Sequence, residues 1–258
     1  MALFRSLILK KHDLGEADEL VIFFARDLGW LRGVAKNARK SRVRFGGHLE
    51  PFSLVDLILR SRRKDDLVWI DESHVVNGFL SIRPDMAKVA LAAYFLELAS
   101  VFQGEGQPDH ELFDFLQVFL ETLETSQLNP VRFMLDEIRL LGRVGYAPRF
   151  DVCPACGHPI TAGQEALFVL HRGGACHRHC VSTQEQGIPL SPDTLALVRR
   201  GLQMESETSA RLKLNRRGTD ELRRALSAFV RHLRGKEINS LVFMEKTGLW
   251  RKGPVARV

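Results

Sequence analysis

Outside one stretch the chain has no cysteine. All four lie between Cys153 and Cys180, so no disulfide framework can staple the rest of the fold. A GxxxxGK[ST] phosphate loop is missing, which argues against nucleotide hydrolysis of that kind. Gln103-Gly104-Glu105-Gly106 follows no strand pattern, and His110-Glu111 lacks the second histidine of an HExxH zinc site. The acidic residues form no cluster suited to two-metal hydrolysis, and no nucleophile stands beside a base. Long apolar runs are missing too: the longest, Val89 to Phe102, contains Glu97 and is too short to span a bilayer. In MALFRSLILKKHD the lysines follow the apolar residues and no small-residue cleavage site comes after, which is not the pattern of a signal peptide. These absences exclude the common hydrolase motifs. They lead us to expect a cytoplasmic protein that is not an enzyme, makes no membrane contact, and uses its cysteines for metal.

What is present is an ordinary globular composition, with 45% apolar and 26% charged residues, and an uneven charge distribution. Residues 1–80 carry 14 basic and 11 acidic side chains, residues 81–150 carry 6 and 10, and residues 151–258 carry 17 and 10. Two basic ends flank an acidic middle, and the net charge of +6 suits a polyanionic partner such as nucleic acid.

In residues 1–80, short apolar runs separated by turn signals predict strands near 3–11, 18–26, 30–36, 51–60 and 67–76. Three strands in meander, a long link and a closing hairpin give the order of an OB-fold, a five-stranded barrel that often binds oligonucleotides. A two-sheet fragment stays open, because Glu19–Ala25 is almost continuously apolar. The charges cluster in the links. From Trp30 to Gly47 come Arg32, Lys36, Arg39, Lys40, Arg42 and Arg44 with no acid between them, and the last hairpin carries Arg60, Arg62, Arg63 and Lys64. Such side chains neutralise phosphates and release counterions. Trp30, Phe45 and Trp69 offer stacking faces beside them, although Trp69, between Val68 and Ile70, reads better as core. The first loop, Asp13 to Glu19, is acidic and should repel a nucleic-acid strand.

Residues 81–150 and 187–250 read as one helical domain. Pro84 breaks the chain before an apolar helix from Met86 to Gln103, and Asp109 can cap a second with Leu112, Leu116, Phe119, Leu120 and Leu123 on one stripe. Asn129-Pro130 and Ser191-Pro192 each pair a cap with proline at the first turn. Thr219 can cap a last helix whose apolar face is Leu222, Leu226, Phe229, Val230 and Leu233, with Arg223, Arg224, Arg231 and Arg234 largely off it. That arginine set is either a solvated face or a second polyanion surface.

The helical pattern is interrupted at 151–186. CPACG, a hairpin-like excursion and CHRHC bring two thiol pairs together, and thiolates in tetrahedral array select Zn²⁺. The expected ligands of one structural ion are Cys153, Cys156, Cys176 and Cys180. A set with His179 in place of Cys180 is also sterically open, and His171 reads as a turn residue. Gly157 permits the turn that aims backbone N–H groups at the sulfurs. The expected architecture is therefore α+β and multidomain: a five-stranded OB-fold barrel, then a helical domain with an inserted zinc-binding module. The closed ligand set gives the metal a supporting role.

LGEADELVIFFARDLGWLRGVAKNARKSRVRFGGHLEPF at 14–52, CPACG and CHRHC within 153–180, and HLRGKEINSLVFMEK at 232–246 resemble the bacterial recombination mediator family RecO, over essentially the whole chain. The second cysteine pair departs from the family's usual C-x2-C, being C-x3-C here, and some members lack the cysteines. The resemblance implies binding of single- and double-stranded DNA, annealing of complementary strands without ATP, and action with RecR. It also implies contact with the acidic C-terminal tail of single-stranded-DNA-binding protein (SSB) and help in loading RecA onto coated single strands. The acidic middle, Asp85 to Glu137, suits such a tail poorly, so the basic C-terminal helices are its expected site. A zinc-ribbon RNA-binding or transcription-associated factor and a scaffold for an acidic protein partner are the alternative readings.

Overall fold

The computed structural model describes residues 2–41, 43–61, 67–204, 206–209 and 211–249. Arg42, Arg62, Arg63 and Lys64 lie outside the described residues. Five strands come first: β1 Leu3–Leu14, β2 Asp18–Ala25, β3 Gly29–Ala35, β4 Leu54–Ser61 and β5 Leu67–Asn77. They form a closed barrel in the order β1-β2-β3-β5-β4, with only β3 and β5 parallel. This is the strand order of an OB-type barrel, as expected. Its interior is filled by Ile8, Val21, Phe23, Ala25, Ala35, Val55, Leu57 and Ile70.

The unbroken apolar run in β2 has a packing cause. Phe23 and Ala25 face the barrel interior, while Phe24 faces out and is fully buried all the same. It stacks on Trp30 with centroids 4.7 Å apart and meets Phe113 at 5.7 Å. Phe113 belongs to α2 (His110–Thr125), so a helix seals the outer side of β2 at this end. At the β2–β3 turn, Gly29 has φ +79° and lies against the chain before α2: a Cβ there would sit 2.3 Å from the Gln107 carbonyl oxygen. Only glycine allows that approach.

The helix α1 (Met86–Phe102) has Asp85 as its cap, with the carboxylate accepting from the Ala87 N–H at 2.9 Å. Asp109 does the same for α2, from Leu112 at 2.8 Å. Phe95 and Phe119 stack between the two helices at 3.8 Å. The chain divides into compact units at 127/128, so α1 and α2 share the barrel's unit. The expected domain boundary near residue 80 falls inside this unit, where strands give way to helices, and the ring contact of Phe24 with Phe113 continues across it.

The second unit contains α3 (Pro130–Arg143), β6 (Ala166–Val169), β7 (Gly174–His177), β8 (Ile188–Leu190), α4 (Pro192–Leu202), the single turn α5 (Ser206–Ser209), α6 (Arg216–Arg234) and α7 (Asn239–Thr247). The excursion is a three-stranded sheet, β7-β6-β8, rather than a simple hairpin. Phe168 of β6 anchors it, packing between Phe150 and Phe229 with centroids 5.5 Å from each. The cap of α6 is Asn215, not Thr219: its side chain accepts from Gly218 N–H at 2.8 Å, whereas Thr219 lies within the first turn and donates back to the Asn215 carbonyl at 2.9 Å. The helix α7 follows a Gly235 left-handed cap and was not legible from periodicity.

Glu221 ties α6 to the start of α4. It is 2% exposed. One carboxylate oxygen accepts from the Ser191 N–H at 2.9 Å, the Ser191 hydroxyl at 2.7 Å and the Thr194 hydroxyl at 3.0 Å. Arg217 donates to the other at 2.8 Å. Burial opposes ionisation, but the donors at Ser191, Arg217 and Thr194 outweigh it and hold the carboxyl below its ordinary value. A depressed carboxyl stabilises the fold fully above the unfolded-state range, about pH 4.3, and loses that contribution as pH falls through the folded value. Glu221→Ala should therefore cost about 3 kcal/mol at neutral pH. The difference from the parent should shrink towards pH 3, as read by urea denaturation across pH.

Candidate functional site

Lys36 and the residues to Leu49 leave the end of β3 as a turn-rich link. Asn37 takes φ +56°, and its backbone N–H donates to the Asp18 carboxylate at 2.9 Å, which turns the cationic segment back over the first loop. Arg39 is exposed and pairs with Asp13 at 3.3 Å. The acid expected to repel a nucleic-acid strand is thus met by a cation of the neighbouring loop. Lys40 is exposed and has no ion pair among the described residues. Arg32 is exposed on β3 and pairs with Glu105 at 3.3 Å.

Arg44 behaves differently. Its guanidinium donates to the Lys36 carbonyl at 2.9 Å and lies 5.1 Å from the Phe45 ring centroid, so it braces the link from within. Beneath the link is a cavity of about 420 Å³ lined by Lys11, Glu19, Arg39, Phe45 and Leu49 among others. Lys11 holds Glu19 at 3.2 Å and Glu50 at 2.7 Å there. Burial works against the Lys11 charge, yet those two carboxylates keep its pKa above the ordinary value.

The aromatic assignments reverse in two places. Trp30 and Phe45, expected as stacking faces, are each 2% exposed and belong to the packing. Trp69, read as core, is half-buried, with the Lys36 ammonium 4.4 Å from its ring centroid. The reason is strand alternation: Val68 and Ile70 face the interior, and Trp69 between them does not.

The cysteine segment forms a second constellation. CPACG makes a knuckle closed by the Cys153 N–H to the His158 carbonyl at 2.9 Å and the Ile160 N–H to the Asp151 carbonyl at 2.8 Å. Gly157 sits at φ +73° as the turn requires. The Arg199 guanidinium of α4 donates to the Ile160 carbonyl and holds the knuckle from outside. The donor atoms of Cys153, Cys156, His177 and Cys180 all lie within 4.8 Å of one another.

This group differs from the four-cysteine expectation at one position, with His177 in place of Cys176. The two are successive residues of β7, paired with Ala166 and Leu167 of β6, and successive strand residues project oppositely. The Cys176 thiol is fully buried against Cys153 instead. His179, the other imidazole considered, is exposed and stacks on the outside of His177 at 5.2 Å. His171 is a turn residue, in a single 3-10 turn, and pairs with Glu185 at 3.1 Å.

His177 is oriented as a ligand needs to be. Its Nε2 faces the Pro159 carbonyl at 3.3 Å and its Nδ1 faces the Cys156 sulfur at 3.4 Å. With the proton on Nε2 donated to that carbonyl, Nδ1 presents its lone pair to the sulfurs. A nitrogen at ~2.0 Å and a sulfur at ~2.3 Å from one tetrahedral ion stand about 3.5 Å apart, so the spacing fits a bound metal.

Protonation in the cluster points the same way. Burial disfavours the Cys153 thiolate, but the backbone N–H groups of His177, Cys156 and Ala155 outweigh it and bring the pKa down to about 6. Cys180 is pushed up to about 11 by burial and by the adjacent Cys156 and Cys153 sulfurs. One thiolate is stabilised and resists the next. A divalent cation at the centre removes that conflict, because coordinating thiols ionise outright. Three thiols and an imidazole can therefore hold one metal ion, with no open position for substrate.

In the second unit a cavity of about 460 Å³ is lined by Tyr146, Arg149, Leu170, Arg172, Phe229 and Leu233 among others, and Arg172 is paired there with Glu185 at 2.9 Å. Among the described residues no helix is long and apolar enough to cross a membrane.

A closed OB-type barrel with a cationic link, followed by helices that carry a thiol-rich knuckle, defines a two-unit protein with a barrel module and a metal-competent helical module. A family model described as "Recombination protein O N terminal" matches residues 1–79, and one described as "Recombination protein O C terminal" matches residues 83–241. The chain is 33% identical over 241 residues to a protein of Syntrophus aciditrophicus named DNA repair protein RecO, covering 93% of each. It is 34% identical to one of that name from Anaeromyxobacter dehalogenans, covering 94% of this chain and 95% of that one. A Myxococcus xanthus protein of the same name is 32% identical, covering 95% and 97%. The chain belongs to the RecO family of DNA repair proteins.

The ligand geometry makes a direct prediction. Cys153→Ser should reduce bound metal well below the about one ion per chain of the parent. Cys176→Ser should leave the metal content unchanged. Inductively coupled plasma mass spectrometry of purified, folded protein reads both.

Proposed function

We propose that the protein is a non-enzymatic recombination mediator. It binds single- and double-stranded DNA, anneals complementary strands, and with RecR helps load RecA onto single strands coated by SSB. It works in the cytoplasm, at the nucleoid. The observation that carries this reading is the exposed cationic link, Lys36, Arg39 and Lys40, leaving one end of an OB-type barrel in a RecO-family chain. Arg32 extends the track along β3, and Arg42, Arg62, Arg63 and Lys64 add charge from the same two links of the sequence. The ion pairs Arg39–Asp13 and Arg32–Glu105 are solvent-exposed, so each is worth about 0–1 kcal/mol and yields readily to a phosphate.

Annealing needs no covalent step. A cationic surface that holds two strands by their phosphates lowers their mutual repulsion and leaves base pairing to the strands. The division of labour is a barrel over residues 1–80 that binds DNA, a helical domain over 81–150 and 187–250, and a zinc module over 151–186. The metal is Zn²⁺, held by Cys153, Cys156, Cys180 and His177, and its work is structural. The acidic SSB tail is assigned to the basic C-terminal helices, supported by the cavity whose lining includes Phe229, Leu233 and the cationic Arg149.

The test is salt-dependent binding of oligonucleotides. Replacing Arg39, Lys40, Arg42 and Arg44 by Ala should weaken binding and reduce the slope of log K against log salt by about 0.7–0.9 for each phosphate that is no longer neutralised. Arg44, which braces the link, should contribute least to the slope. An unchanged slope would sink the placement of the phosphate track.

A further inference from the structure

The outer wall of the barrel beside the cationic link carries one aromatic ring placed unlike the others. Ala35 and Ile70 are Cα partners across β3 and β5 and point into the core. Their neighbours Val34 and Trp69, also partners, therefore face outward. Arg32 lies on the same side of β3, two residues before Val34, and Lys36 lies just past the strand's end. Arg60, the partner of Trp69 on β4, is exposed as well. On the other flank Leu20 and Ile22 of β2, partners of Val34 and Arg32, are half-buried. A half-buried indole thus lies in a strip with an apolar margin and three cations.

From this arrangement we infer that Trp69 is a stacking platform for an unpaired base of single-stranded DNA, with Lys36, Arg32 and Arg60 on the flanking phosphates; the inference rests on the DNA-binding function proposed above. The Lys36 ammonium over the ring marks a face that a flexible group can reach and leave. An exposed cation–π contact is weaker than base–aromatic stacking, so a base displaces the ammonium, which then swings to the phosphate beside it. Arg32 and Arg60 are each paired with one acid, Glu105 at 3.3 Å and Asp71 at 3.2 Å. Both pairs are exposed enough to exchange a carboxylate for a phosphate. Duplex DNA offers no such fit, because its base faces are covered by their neighbours. The ring therefore separates single strands from duplex, which phosphate contacts alone do not. Trp30 and Phe45 have no part in this, being buried.

The test uses the full chain in two titrations. Fluorescein-labelled oligothymidylate and a labelled blunt duplex are followed by anisotropy, and unlabelled oligothymidylate by tryptophan fluorescence. Trp69→Ala should weaken oligothymidylate binding roughly 5- to 100-fold and leave duplex affinity unchanged. Trp69→Phe, which keeps a ring and the fold, should retain most of the anisotropy signal and lose the fluorescence quenching seen in the parent. Matching urea unfolding curves for the parent and Trp69→Phe guard against a merely structural effect. Quenching of equal amplitude in Trp69→Phe, or equal loss of both DNA forms in Trp69→Ala, would overturn the platform while leaving DNA binding in place. If the parent shows no anisotropy change with either DNA, the DNA-binding function falls and the platform with it. Quenching by an acidic peptide but not by oligothymidylate would assign the strip to a protein partner and overturn the inference too.

Discussion

The parallel pairing of β3 with β5 is the constraint on which the first unit depends. Four antiparallel pairs alone would leave an open sheet with two edges; this pair closes it and removes them. Its register, Val34 to Trp69 and Ala35 to Ile70, sets which residues enter the core and which face out. Closure also forces the chain between β3 and β4 to cross an end of the barrel as a long link, and that link carries the cationic cluster. Charge and aromatic ring, far apart in sequence, meet because two strands close a wall.

The second unit has its own anchor. Phe168 is shared between Phe150 and Phe229 and seats the small sheet on α6. That sheet delivers His177 to the knuckle, whose hydrogen bonds aim three N–H groups at Cys153. The metal-competent cluster is thus built where a knuckle and a strand end meet. Its ligand set is closed, so an ion bound there would brace the excursion rather than act on a substrate. Glu221 performs a related task without metal, joining α4 to α6 through a buried carboxylate whose hydrogen bonds are met by donors on both helices.

The cationic link is not an uncompensated block of charge. Asp13, Glu105 and the Arg44 brace set its resting geometry, and exposed ion pairs hold the arginines in place while exchanging readily. A surface organised in this way can release its acids and take phosphates without rebuilding the loop.

Strand order, the helix caps at Asp109 and Asn129, the cationic link and the thiol-rich knuckle were all legible along the chain, because each depends on near neighbours: alternation, a cap two or three residues from its N–H, a CPxCG turn. The extent of the first compact unit was not. Pro84 ends an element, but the contacts that join α2 to the barrel run through Phe24, Trp30 and Phe113. The same limit explains the exchanged roles of the aromatics, since Trp30 and Trp69 both lie on outward faces and only a covering helix distinguishes them. It explains the fourth metal donor as well. Cys176 and His177 are adjacent in sequence and each can ligate a metal, and the pairing of β7 with β6 decides which of them turns towards Cys156. Local pattern identifies which residues can serve; which of them are covered, and which converge, depends on strands and helices brought together from distant parts of the chain.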